Sequence, residues 1–131
     1  MSQRDMRAVD TNVLVRLIAR DDEKQTAAAE RFVAEGAWVP HLALVEACWV
    51  LDSVYDLDNR AIIAALEMLL DHDRLTLQDA DVVRAATDRL RSARKLGFSD
   101  CLMLEVARKA GHLPLGTFDR VFGRQDGAES L

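Results

Sequence analysis

The sequence predicts a single α/β domain built on a parallel sheet. Short apolar runs alternate with longer stretches in which apolar residues recur at helical spacing. The run 6–9 leads into a helical pattern, and a second helical pattern precedes the next apolar run at 38–40. The order strand, helix, helix, strand is typical of parallel sheets. With 131 residues, half of them hydrophobic, the chain fits one domain spanning residues 1–131 with a sizeable core.

The first helical pattern begins after Asp10 and carries Val13, Leu14, Leu17 and Ile18 on its apolar side. The later elements are predicted, in order, as helices at 25–34, 41–55 and 58–71, a strand at 75–77, helices at 81–94 and 100–110, a strand at 114–116 and an edge strand near 128–131. Glycines follow two of these helices, at Gly36 and Gly111, and glycine is the residue that most often ends a helix.

Composition excludes several classes of protein. A net charge of -5 and a pI near 5.1 argue against a broad basic face for nucleic acid. The N-terminal MSQRDMR lacks the apolar core of a signal peptide, and no apolar segment reaches membrane-spanning length, so we expect a cytoplasmic protein. Cys48 and Cys101 have no second cysteine nearby and are expected to be reduced and packed. The histidines show no ligand spacing, and we assign no metal role to His41, His72 and His112.

Two acidic residues follow short apolar strands. Asp10 ends the first strand and Asp119 comes shortly after the strand at 114–116. In parallel α/β sheets, ligands gather at the carboxyl ends of the strands, so both are candidate site residues. The alternative for the first position is that Asp10, Thr11 or Asn12 only caps the helix that follows.

Glu46 is a third candidate, because on a helical wheel it lies among apolar residues of the helix at 41–55. The neighbours on that side are Leu42, Val45, Trp49 and Val50. An ionised carboxylate on an apolar face is costly unless something compensates it, so a cleft containing a cation is one interpretation. The other is a Glu at the edge of the face, extended to solvent or paired with an arginine.

Asp100 is the fourth candidate. It projects on the wheel with Met103 and Leu104, on the side expected to be buried, whereas Glu105 and Arg108 are expected to face away. An acid in the first helical turn, after a Ser99 cap, is also favoured by the helix dipole, so a structural role stays open.

The helix at 81–94 contains the most basic part of the chain, with Arg84, Arg89, Arg91, Arg94 and the following Lys95. Such a run is usually a solvated helix face, and the alternative is a contact with phosphate or an acidic partner.

Four carboxylates gathered at one sheet edge would repel one another unless a cation neutralised them. Because the set has only oxygen donors, it points to Mg²⁺ or Mn²⁺ and away from zinc. An ion held in this way suits hydrolysis of a phosphodiester, since it activates water and stabilises charge on the phosphoryl oxygens.

Four segments, VDTNVLVRL, LVEACWVL, FSDCLMLEVARKAG and LGTFDR, resemble PIN-domain nucleases, in particular the VapC-type toxins of bacterial toxin–antitoxin pairs. The resemblance implies a three-layer α/β/α fold with a short central parallel sheet of four or five strands. It also implies an acidic pocket for Mg²⁺ or Mn²⁺, endoribonuclease activity, a cognate antitoxin and a homodimer. The family's acidic residues fall on Asp10, Glu46, Asp100 and Asp119, and its small polar residues on Asn12 and Thr117.

The resemblance implies roles for the acids. Asp10 and Asp100 would be the principal metal ligands, Glu46 would bind the metal or orient a water, and Asp119 would hold a second ion or act through water.

Three further residues take supporting roles. Thr117 would hydrogen-bond a carboxylate and fix its rotamer. Arg16 and Arg120 lie close in sequence to an acid and are candidates for contacts with substrate phosphate; the alternative is that they are ordinary surface arginines.

Three other functions stay open. The same carboxylates serve a nuclease acting on DNA or structured nucleic acid, because the choice of RNA rests on contacts to the 2′-OH and to unpaired bases. A HAD-type phosphatase also has an acid after its first strand, but it needs a second Asp where this chain has Asn12. A PIN-like binding module without catalysis is the third alternative.

Overall fold

A computed structural model describes residues 5–93 and 95–131. The first four residues, part of the segment tested for a signal peptide, and Arg94, the predicted end of the fifth helix, lie outside the described residues. The described part contains six α-helices, five strands of two or three residues and a 3₁₀ turn. The chain divides into two compact units, Met1–Ala80 and Asp81–Leu131, and the single-domain organisation stays a prediction.

The first unit holds a three-stranded parallel sheet. Its elements are β1 (Arg7–Ala8), α1 (Thr11–Ala19), α2 (Glu23–Val33), β2 (Ala37–Val39), α3 (His41–Ser53), α4 (Asn59–Asp71) and β3 (Leu75–Leu77). The strand order is β1-β2-β3, with Arg7 opposite Ala37 and Ala37 opposite Leu75. All three strands point the same way, so their carboxyl ends, including the one before Asp10, lie at one edge of this sheet.

The apolar run 6–9 predicts a buried first strand, and that prediction is wrong. Arg7 and Ala8 are exposed, and only Val9, just after the strand, is buried. The physical reason is that β1 lies at the edge of its sheet and contributes only two residues to the ladder.

Aspartates cap three helices of this unit. The side chains of Asp10, Asp22 and Asp58 accept hydrogen bonds from backbone N–H groups in the first turns of α1, α2 and α4. Each such bond satisfies a donor that has no partner inside the helix, which explains why the helices begin where they do.

The second unit begins one residue into α5 (Ala80–Ser92) and continues with α6 (Phe98–Ala110), β4 (Leu115–Thr117), a 3₁₀ turn (Phe122–Arg124) and β5 (Ala128–Ser130). The two strands pair in parallel, with Leu115 opposite Ala128 and Thr117 opposite Ser130. The edge strand expected near the C-terminus is therefore confirmed.

The α/β class with parallel strands is confirmed, but each sheet is smaller than the predicted four or five strands. The five strands form one three-stranded and one two-stranded ladder. Because each strand offers only two or three residues for pairing, few ladder hydrogen bonds are available to extend a sheet.

The inner face of α3 differs from the predicted one. Leu42 and Trp49 are 67% and 68% exposed, and Glu46 lies with them on the solvent side. The buried residues of this helix are Ala43, Leu44, Ala47, Cys48 and Leu51. Apolar residues surround most of this helix, so periodicity could not identify the packed side.

Both cysteines are free and buried, as predicted. Within the described ranges, no helix has the length and apolar character needed to cross a membrane.

Candidate active-site carboxylates

Asp10 occupies the joint between β1 and α1. Its Oδ1 accepts a hydrogen bond from the Val13 amide at 3.2 Å, and its side chain is exposed. The capping role that the sequence left open is therefore real. The cap uses one carboxylate oxygen, so it is compatible with a second role for the other.

Glu46 lies in the middle of α3 and is exposed, so its charge carries no large burial penalty. Its Oε2 accepts a hydrogen bond from the Thr11 hydroxyl at 2.8 Å. Thr11 is the first residue of α1 and follows Asp10 directly. The first turn of α1 therefore contacts two predicted site carboxylates. Thr11 donates to Glu46, and the carboxylate of Asp10 caps the helix.

Asp100 is in the first turn of α6 and half-buried. Burial raises the pKa of its carboxyl group, and the negative charge of Asp119 raises it further. The structure thus places these two predicted residues near enough to repel each other. α6 begins at Phe98 with Gly97 in the cap position, so the expectation that Ser99 is the cap is wrong.

Asp119 follows β4 and organises the turn after it. Its Oδ1 accepts hydrogen bonds from the amides of Val121 and Phe122, both at 2.9 Å. Its own amide donates to the Thr117 hydroxyl oxygen at 3.0 Å. Thr117 therefore contacts the backbone of Asp119, and the Asp119 carboxylate is oriented by the turn it starts.

Arg16 has protein partners. Its Nη1 lies 2.5 Å from Asp21 Oδ1 and 3.5 Å from the Tyr55 hydroxyl, which itself donates to Asp21 Oδ2 at 2.8 Å. The hydrogen bond from Tyr55, followed by the charge of Arg16, holds the pKa of Asp21 below its usual value despite some desolvation. A phosphate contact by Arg16 would compete with these partners.

The other two predicted polar contacts are exposed. Asn12 lies on the first turn of α1 and, with Arg16 and Phe32, lines a groove of about 380 Å³ between α1 and α2. Arg120 is exposed directly after Asp119.

The structure therefore arranges the predicted residues in two groups. In the first unit, Thr11 directly follows Asp10 and donates a hydrogen bond to Glu46. In the second unit, Asp100 and Asp119 interact with each other. One pocket containing all four stays a prediction. Over residues 5–93 and 95–131, no group of three or more His, Cys, Asp or Glu side chains is placed to hold a metal ion.

The donor chemistry fits a hard divalent cation. Burial raises the pKa of Asp100, and the charge of Asp119 raises it further. Carboxylate oxygens are the donors that Mg²⁺ and Mn²⁺ prefer. Asp100 and Asp119 offer such oxygens in the second unit, and Asp10 and Glu46 offer them in the first.

The helical wheel of α6 was partly wrong. Glu105 was expected to face solvent but is buried, and Met103, expected on the buried side, is 54% exposed. The burial of Glu105 is compensated, because Arg89 Nε and Nη2 lie 3.0 and 2.9 Å from its Oε1 and Arg108 Nε lies 3.4 Å from Oε2. A single helix gives no sign of an arginine supplied by another helix.

The sequence reasoning also missed Thr11. The only signal available in the sequence was that the Thr11 hydroxyl lies next to Asp10, a predicted site acid. That signal does not show that the hydroxyl donates to Glu46.

Comparison with known protein families assigns the chain to a family. Residues 7–128 match the model of the family described as "PIN domain", so the match covers most of the chain and extends over both compact units. Among curated proteins and solved structures, none matches this chain significantly.

Proposed function

The chain belongs to the PIN-domain family, and from that premise we propose that it is a Mg²⁺- or Mn²⁺-dependent endoribonuclease that acts as the toxin of a type II toxin–antitoxin pair. Domains of this family are generally nucleases and typically depend on divalent metal ions. The preference for RNA and the toxin role rest on the finer resemblance of the four sequence segments to VapC-type toxins.

The observation that carries the nuclease proposal is the PIN-domain match over residues 7–128, and the pair formed by Asp100 and Asp119 supports it. Burial raises the pKa of Asp100, and the neighbouring charge of Asp119 raises it further. Residues that perturb one another in this way are typical of functional sites. Cation binding is the simplest use of two oxygen donors placed together.

The chain's own groups divide the work of phosphodiester hydrolysis. A bound Mg²⁺ or Mn²⁺ would supply positive charge to the phosphoryl oxygens and lower the pKa of a water. In the first unit, Asp10 and Glu46 would bind an ion through carboxylate oxygens, and in the second unit Asp100 and Asp119 would do the same. Glu46, whose Oε2 accepts a hydrogen bond from Thr11, would also orient the attacking water towards phosphorus.

Arg120 would contact the substrate phosphate. It is exposed and directly follows Asp119, whose side chain orders the turn that contains it. Arg16 is less suited to this task, because its guanidinium already binds Asp21 and Tyr55. We therefore assign the phosphate contact to Arg120 first.

The partners in this proposal are RNA, a cognate antitoxin and a second copy of the chain. The exposed Leu42 and Trp49 on α3 support the homodimer, since apolar side chains of this size on a surface often mark a protein interface. Action on cellular RNA under antitoxin control also implies a cytoplasmic location.

The test is cleavage of a mixed pool of structured RNAs by purified protein in Mg²⁺ or Mn²⁺. EDTA and the variants Asp100→Asn and Asp119→Asn are expected to abolish the fragments. Asp88→Asn is the matched control, because Asp88 is an exposed aspartate of α5 in the same unit and is expected to leave cleavage unchanged.

Each other outcome selects a different function. Cleavage of single-stranded DNA with RNA left intact would replace the ribonuclease by a DNA-directed nuclease. No cleavage of either substrate by folded protein, together with no rise in melting temperature on adding Mn²⁺, would favour a binding module without catalysis. Fragments that persist in Asp100→Asn would contradict the assignment of this residue.

A further inference from the structure

The hydrogen bond between Thr11 and Glu46 gives Thr11 a role that the sequence did not suggest. We propose that Thr11 is a positioning residue whose hydroxyl holds the Glu46 carboxylate in the orientation needed to take part in metal binding. The inference rests on the proposed function and names a residue outside the family's acids and outside Asn12 and Thr117.

The contact is specific and joins distant parts of the chain. Thr11 Oγ1 donates to Glu46 Oε2 at 2.8 Å across a separation of 35 residues. It exists because α1 packs against α3, which places the first residue of α1 beside the middle of α3. A bond to an ionised carboxylate is roughly twice as strong as one between neutral groups.

The position of Thr11 in its helix leaves its hydroxyl available. Inside a helix, a threonine hydroxyl often bonds to the carbonyl of the preceding turn. Thr11 is the first residue of α1 and has no such turn before it, and the capping acceptor for Val13 is supplied by Asp10. The branched Cβ of threonine restricts χ1, so the direction of the donor is well defined.

The carboxylate it contacts needs this restraint. Glu46 is exposed, and a glutamate side chain has several rotatable bonds that must be ordered before it can bind an ion. The hydrogen bond from Thr11 orders these rotatable bonds before an ion binds, and it uses one acceptor position of Oε2. Groups that orient a metal ligand in this way typically change metal affinity tenfold to hundredfold when removed.

Thr76 is the natural comparison. It is a half-buried threonine of β3 in the same unit and belongs to none of the candidate site residues. Replacing it with valine makes the same chemical change without removing the Thr11 hydroxyl, and valine is well suited to a strand.

The experiment measures Mn²⁺ binding to the full chain by electron paramagnetic resonance of free Mn²⁺, with no RNA present. The variants are Thr11→Val, which keeps the shape and removes the donor, Thr11→Ala, which detects any packing defect peculiar to valine, and Thr11→Ser, which restores the donor. Thr76→Val is the matched control, and circular dichroism checks that each variant is folded. A parallel set carries Glu46→Gln.

We expect Thr11→Val and Thr11→Ala to weaken Mn²⁺ binding by about tenfold to hundredfold. Thr11→Ser and Thr76→Val are expected to bind like wild type. In the Glu46→Gln background, Thr11→Val is expected to cause no further loss, because its effect passes through that carboxylate.

Two results would overturn the inference while leaving the proposed function intact. One is wild-type protein that binds Mn²⁺ and cleaves RNA, with Thr11→Val indistinguishable from it in Mn²⁺ affinity. The other is an equal loss of affinity from Thr11→Val with and without Glu46→Gln, which would indicate general damage to α1. Wild-type protein that binds no Mn²⁺ would instead overturn the proposed function, and this inference with it.

Discussion

Replacing Arg89 with methionine is expected to lower the free energy of unfolding by about 3 kcal/mol, because it leaves the buried Glu105 carboxylate without its main partner. The side chains of Arg89 and Glu105 are only 17% and 10% exposed. Two guanidinium nitrogens of Arg89 lie 3.0 and 2.9 Å from Glu105 Oε1. The same substitution also removes the 3.0 Å bond from Arg89 Nη1 to Gln125 Oε1.

The magnitude follows from what remains after the substitution. Breaking a buried ion pair by removing one partner costs about 3–5 kcal/mol. We expect the lower end, because Arg108 Nε stays 3.4 Å from Glu105 Oε2 and continues to compensate part of the charge. Removing both charges with Arg89→Met and Glu105→Leu together is expected to recover most of the loss, since apolar replacement of a buried pair is often neutral.

The assay is urea unfolding followed by circular dichroism, read as a double-mutant cycle. Arg91→Met is the matched control, because it removes the same side chain from the same helix and its ion pair with Asp88, at 3.9 Å, is exposed. That control is expected to change stability by less than about 0.5 kcal/mol. If Arg89→Met costs no more than Arg91→Met, or if the double variant is no more stable than Arg89→Met, the reasoning about the buried charge is refuted.

Further predictions concern the site, the surface and the thiols. In EDTA at pH 7, Asp100→Asn is expected to raise the melting temperature, because the raised pKa of Asp100, caused by burial and by Asp119, means that its charge destabilises the fold. This gain in melting temperature should vanish as the pH falls below about 4, where Asp100 is protonated in both the folded and the unfolded wild-type protein. A gain that persists at low pH would contradict this cause. Trp49→Ala is expected to disrupt the proposed homodimer, because Trp49 is exposed on α3. In light scattering the mass would fall from about twice the 14.6 kDa of one chain to that of one chain, and an unchanged dimer mass would exclude this face of α3 as the interface. Burial raises the pKa of Cys48 to about 12 and that of Cys101 to about 11. Neither thiol should therefore react with a disulfide reagent at pH 8 until guanidinium unfolds the protein. Rapid reaction of the native protein would contradict the burial of the two thiols.

Local chemistry was sufficient to predict the order of the helices and strands. Aspartates and glycines act on the few residues beside them, and the helices capped by Asp22 and Asp58 begin close to their expected positions. The short C-terminal strand was also expected near residues 128–131, although the tail is only weakly patterned, and the structure places it at Ala128–Ser130.

Periodicity failed where a helix is apolar on several sides or where a charge is compensated from elsewhere. In α3, bulky Leu42 and Trp49 suggested the packed face, but small residues such as Ala47 allow closer helix packing and are the ones buried. In α6, Glu105 is buried because Arg89, sixteen residues away, supplies the opposite charge.

The α/β class was therefore predictable from the chain alone, since it depends on spacing and residue type. The four candidate acids were selected on the same grounds, and their joint role in one site stays a prediction. The partners of those acids were not predictable in this way. The contact of Glu46 with Thr11 spans 35 residues, and the repulsion between Asp100 and Asp119 joins the start of α6 to the turn after β4. Such contacts arise only when elements pack, because a side chain's nearest neighbours in space are set by the meeting of faces and not by its position in the sequence.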